Sequence, residues 1–173
     1  MKKLYFAVTM SLCNLAYAEY AYIGTSPKGV QVSINMDPRF FTSVDTKSNS
    51  LYGDSNDVIF KFWNKGIYKE PIIIALCTKY VSGTLGLPYC IKSENFAAFN
   101  ATYVSYFNLT KNTYCDEQSN FYDKNGKLID SRTSSCYSGI FKLVEPDSTN
   151  DFINSYLTGQ WNAFLTKKAT GNQ

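Results

Sequence analysis

The feature that most constrains this chain is a turn set between two cysteines. Asn125-Gly126 lies within SNFYDKNGKLIDS, with Cys115 upstream and Cys136 downstream. Asn-Gly accepts the positive φ of a tight turn, and with Phe121, Tyr122, Leu128 and Ile129 on either side it predicts a β-hairpin. If Asn125 and Gly126 are the two central turn residues, Lys124 opposes Lys127, Tyr122 opposes Ile129 and Phe121 opposes Asp130. The same register sets Cys115 opposite Cys136 at a non-hydrogen-bonded position. Cα atoms there approach to about 4.5 Å, within disulfide reach. A three-residue loop with Gly126 as a bulge is the alternative. It shifts the pairing by one and sets Cys115 against Ser135.

Disulfides need an oxidising compartment, and the N-terminus predicts one. Lys2 and Lys3, the apolar run Leu4–Leu12 and the small-residue site Ala16-Tyr17-Ala18 are the three parts of a secretory signal (residues 1–18), cleaved before Glu19. The run is shorter than the roughly 20 residues of a membrane span, and no later stretch reads as a transmembrane span. Lipoprotein processing at Cys13 is the rival, with Leu12 a poor fit where a small residue is wanted. Cleavage removes Cys13 and leaves Cys77, Cys90, Cys115 and Cys136, an even set that reads as two disulfides. With Cys115 joined to Cys136, Cys77 pairs with Cys90 by exclusion, across a Gly/Pro-containing loop. Each closure stabilises by on the order of 3 kcal/mol in the chain-entropy model.

Short strands dominate the remainder. Gly29–Asn35 alternates as a strand ending at Asp37-Pro38. Asp57–Trp63 puts Val58, Phe60 and Phe62 on one face and Ile59, Lys61 and Trp63 on the other, and Pro71–Val81 is a more continuous apolar run suited to a central strand. Phe96–Leu109 has both helical and strand spacing; Thr102, Val104 and the aromatics tilt it toward strand. Gly139–Pro146 reads as a further strand stopped by proline. The clearest helix comes last, with Ser148 as N-cap, Asp151 completing an imperfect capping box, and Phe152, Ile153, Tyr156, Leu157, Trp161, Phe164 and Leu165 on one face. Gly159 is a point where it could end or bend. Strands first and one amphipathic helix last predict an α+β domain over residues 19–166, its helix lying on an antiparallel sheet, followed by a frayed polar tail at 167–173.

The composition narrows function by exclusion. Without histidine there is no Ser-His-Asp or Cys-His arrangement, and without close cysteine pairs there is no usual zinc site. The acidic pairs Asp54/Asp57, Asp116/Glu117 and Asp147/Asp151 read as loop, strand end and helix start, not as a catalytic carboxylate pair. Gly83 and Gly86 make no phosphate loop, since no Gly-Lys-Ser/Thr follows. The 17 basic and 14 acidic residues come close to balance once Lys2 and Lys3 are removed, which argues against nucleic acid. The expectation is a non-enzyme with no cofactor and no catalytic or metal residues. The 14 tyrosines and 12 phenylalanines serve mainly packing, but exposed tyrosines around YVSGTLGLPY could form a recognition patch, since tyrosine joins apolar area to a polar tip.

Four stretches, GVQVSINMDPRFF, DVIFKFWN, CDEQSNFYDKNGKLIDS and VEPDSTNDFINSYL, together resemble the surface-adhesin protein E family of Gram-negative bacteria, in the family's order from Ala21 to Leu157. The resemblance implies about six antiparallel strands with a C-terminal helix against one face, and a protein exported to the periplasm or outer cell surface. It implies a protein partner: a host matrix or plasma protein, or an envelope protein. A periplasmic inhibitor of host lysozyme or a subunit of an envelope complex is the alternative. Two departures stand out. The family's cysteine in the last helix is missing here, leaving Cys136 as partner to Cys115, and the stretch from Gly66 to Asn112 is longer than the family pattern requires. No ligand-binding residue carries over, and the sequence leaves the oligomeric state open.

Overall fold

A computed structural model describes residues 20–170 apart from 38, 40, 45–51, 55 and 83–87. The signal segment, Cys13, Gly83, Gly86 and the last three residues lie outside the described residues. The fold is α+β: eight described strands in one open antiparallel sheet, and one C-terminal helix. The strands are β1 (Tyr20–Thr25), β2 (Val30–Asn35), β3 (Phe41–Val44), β4 (Ile59–Ser82), β5 (Pro88–Asn108), β6 (Thr113–Tyr122), β7 (Leu128–Thr133) and β8 (Lys142–Leu143), followed by α1 (Thr149–Thr170).

The expected count of about six is corrected to eight, and the pairing explains the difference. The main path runs β1-β2-β4-β5-β6-β7. β3 pairs with Ile59–Phe62 of β4, continuing along the edge that β2 occupies from Asn64 to Tyr68. β8 likewise continues the edge of β6 past the end of β7. The sheet is therefore six lanes wide, with two lanes each shared by two short strands.

Three further expectations are revised. Ile59–Trp63 and Pro71–Val81 belong to one 24-residue strand, β4, with Asp57 and Val58 just before it. Pro71, which donates no amide hydrogen, sits inside a register irregularity between Ile67 and Ile72, where a missing ladder bond is tolerated. Gly139–Pro146 yields only a 3-10 turn over Ser138–Ile140 and the two-residue β8. The helix runs through Gly159 to Thr170, so Lys167 and Lys168 lie in its last turn, where cations suit the negative end of the helix dipole. Phe96–Leu109 resolves as strand, within β5 through Asn108.

The core lies between α1 and one sheet face. Ile34, Phe62 and Phe107 are fully buried there with Val32, Ile153 and Leu157, each large side chain contributing about 1.5–3 kcal/mol on burial. Phe60 and Phe62 face the helix as the alternation predicts. Ser148 caps α1, its Oγ accepting from the Asp151 amide at 3.0 Å, while Asp151 Oδ2 accepts from the Asp147 amide at 3.1 Å. The reciprocal bond thus reaches one residue further back than in the usual capping box.

The hairpin combines both registers considered from sequence. Its loop is the three-residue form, Lys124-Asn125-Gly126: the Asp123 amide donates to the Lys127 carbonyl at 2.9 Å, and Gly126 has φ 78°. Asp123 Oδ1 secures the loop by accepting from the amides of Asn125 and Lys127. Tyr122 consequently pairs with Leu128, not Ile129. Ile129 is then an extra residue in β7, and beyond this bulge Phe121 meets Asp130, as the two-residue count has it. Two one-residue offsets cancel, which is why the count reached the right cysteine partner.

Candidate functional site: a projecting ribbon

Cys115 and Cys136 are bonded, with Cα atoms 5.8 Å apart. They do not form a ladder pair, because β7 ends at Thr133 and β8 takes over β6 only at Tyr114. The bond spans that gap and is buried with Ile59 and Tyr106 on the sheet face opposite α1.

Cys77 and Cys90 form the second described disulfide, with Cα atoms 5.7 Å apart. Its setting is different. β6 pairs with β5 only from Asn100 onward, and β2 leaves β4 at Tyr68. Among the described residues, Ile72–Ser82 and Pro88–Ala98 therefore pair only with each other, as a two-stranded ribbon that carries the sequence beyond the sheet by roughly 30 Å at the usual strand rise. Of the loop expected between the two cysteines, Thr78–Ser82 and Pro88–Tyr89 belong to this ladder.

The ribbon has a rooted half and a free half. At the root, Ile74, Ala98, Ala101 and Phe121 are buried together, with Ile72, Leu76 and Ile129 packed against them. Among the described residues this cluster reaches no further than Leu76, and the cross-link follows at Cys77. An isolated two-stranded ribbon is marginal in water, so the disulfide takes over where core contacts stop. Ile73, Tyr80, Tyr89 and Ile91 stand exposed on the ribbon, at 63%, 60%, 55% and 49%. Tyr80 and Tyr89 are the tyrosines that sequence marked as a recognition patch. Lys92 pairs with Glu94 at 2.9 Å on the ribbon, where charge discourages edge-to-edge aggregation.

The three acidic pairs have other partners. Asp57 Oδ2 accepts from Asn108 Nδ2 at 2.9 Å and from the Asp54 amide at 2.9 Å, and lies 3.0 Å from Lys111 Nζ, tying the loop before β4 to the end of β5. Burial pushes this carboxyl up, but the bonds from Asn108, Lys111 and Asp54 outweigh it and leave it below its ordinary value. Asp147 and Asp151 belong to the helix cap. Asp116 and Glu117 point to opposite sheet faces. Glu117 pairs with Lys61 at 2.7 Å. Asp116 accepts from Ser105 Oγ at 2.5 Å, and Ser105 in turn accepts from Asn64 Nδ2 at 2.8 Å. This polar chain on the helix side was not singled out from sequence.

No described helix is long and apolar enough to cross a membrane. No family model, no curated protein and no solved structure matches this chain.

Proposed function

We propose that this is an exported, disulfide-stabilised bacterial binding protein of the periplasm or outer surface, resembling surface-adhesin protein E, whose ribbon engages a host or envelope protein. The observation that carries the reading is the projecting ribbon: a covalently braced element bearing Ile73, Tyr80, Tyr89 and Ile91 in the open. Exposed aromatic and aliphatic side chains on a pre-ordered element suit protein recognition, because little conformational freedom is lost on binding. The secretory signal, the two disulfides and the motif order support export and the family likeness.

The test is capture from host serum and from envelope extract, comparing the wild-type chain with an equally stable Ile73→Ser/Tyr80→Ser/Tyr89→Ser variant. A protein retained by the wild type and lost by the variant is expected, and equal retention by both removes the ribbon as the binding element. A partner found only in envelope extract turns the reading toward a periplasmic inhibitor or complex subunit. Protease shaving of intact cells tests display, and resistance of the protein to shaving removes the surface version.

A further inference from the structure

Beneath the first turns of α1 lies a cavity of about 210 Å³ between helix and sheet. One side is apolar, formed by Val30, Val32 and Ile153; the other carries Tyr68, Tyr103 and Asp116. Helix-facing sheet positions are where apolar side chains serve stability best, yet this stretch holds Asn64 and Gly66 on β4, Ser105 on β5 and Asp116 on β6. Tyr68 and Tyr103 join their hydroxyls at 2.5 Å. Burial pushes both phenols up, and the Asp116 charge also raises both, so they stay protonated and offer hydroxyl oxygens at neutral pH.

Asp116 is the unusual member. Its one described hydrogen-bond donor is a neutral hydroxyl, and among the described residues no lysine or arginine forms an ion pair with it. Burial pushes its carboxyl up, while the Ser105 bond and the more distant field of Lys142 only partly oppose this. A sheltered carboxylate without a cationic partner is costly to keep.

We propose that this cavity binds a small organic cation, a primary ammonium on a short aliphatic body. Asp116 is its counter-ion, the Tyr68–Tyr103 pair accepts a further ammonium hydrogen, and Val30, Val32 and Ile153 cover the chain. The ligand is small because the cavity falls below the roughly 300–1,000 Å³ of sites for drug-sized molecules. The geometry disfavours an anion, which would meet the carboxylate. This site is separate from the ribbon and stands whether or not the ribbon binds a protein.

The experiment is calorimetric titration of the disulfide-intact chain at neutral pH with n-butylammonium, n-butanol and butyrate, with a linear series from ethylammonium to hexylammonium to find the best length. Saturable binding of an ammonium is expected, with butanol much weaker and butyrate silent. Asp116→Asn keeps the shape and removes the charge, so binding should fall roughly tenfold to a hundredfold. Its own melting temperature should rise or hold, which separates lost binding from lost folding. Gly66→Ala is the second variant: the added Cβ would stand 3.1 Å from Val30 Cγ1, narrowing the apolar wall and weakening the longer amines while Asp116 is intact. No ammonium binding by the folded wild type, or equal binding by Asp116→Asn, overturns the proposal.

Discussion

The β6–β7 hairpin and the β4–β5 ribbon are each closed by one disulfide, but the two bonds stand in opposite surroundings. Cys115 and Cys136 are buried at 5% and 7% exposure, packed with Ile59 and Tyr106. Cys77 and Cys90 lie past the last buried contact of the ribbon, with Cys90 exposed. The first bond reinforces a region that packing already orders. The second stands in for packing that the ribbon lacks. One covalent device thus serves global stability in one place and local order in the other, and the exposed apolar side chains fall on the element braced in the second way.

The largest effect is expected from the core. Phe62 has no exposed surface and touches Phe41 and Phe107. Phe62→Ala should cost about 3–5 kcal/mol in urea unfolding and lower protection throughout the sheet, the ribbon root included. Next, Cys115→Ala/Cys136→Ala should cost about 2–5 kcal/mol as a shift of the whole transition. A change confined to β7 and β8 would show that this bond, too, acts only locally.

A smaller effect concerns acid. Because the folded-state Asp57 carboxyl is held below its ordinary value, it adds stability that is fully present above the unfolded-state value near pH 4. That stability is lost as pH falls through the folded-state value. Asp57→Asn should cost about 1–3 kcal/mol near neutral pH and flatten the stability slope below pH 4. An unchanged slope would exclude Asp57 as its source.

Much of the anchored part of this architecture is legible in the sequence. Asn125-Gly126 marks the turn, alternation sorts Phe60 and Phe62 from Ile59 and Lys61, and Ser148 with Asp151 marks the helix start, because each signal lies within a few residues. The exact ladder is not legible, since Gly126 and Ile129 each add an offset that depends on how Ile129 reaches the cluster with Phe121. Pro71 hides the ribbon, because it reads as the start of a separate strand but falls where the ladder is already interrupted. β1 and β3 leave little trace in the sequence because each is short and defined by its partner. The polar chain Asn64–Ser105–Asp116 joins three strands far apart in sequence, so no local motif announces it; the exposure of Tyr80 and Tyr89 is legible because they flank a Gly/Pro-containing sequence.

On this view Cys77–Cys90 orders the ribbon and little else. Hydrogen exchange on Cys77→Ser/Cys90→Ser, resolved by peptide, tests it most directly. Amides of Thr78–Ser82 and Tyr89–Ser93 should exchange much faster than in the wild type, Ile72–Leu76 less so, and β2, β6 and α1 at unchanged rates, with the global unfolding midpoint nearly constant. Protection retained along the distal ribbon, or lost evenly across the sheet, would contradict the account.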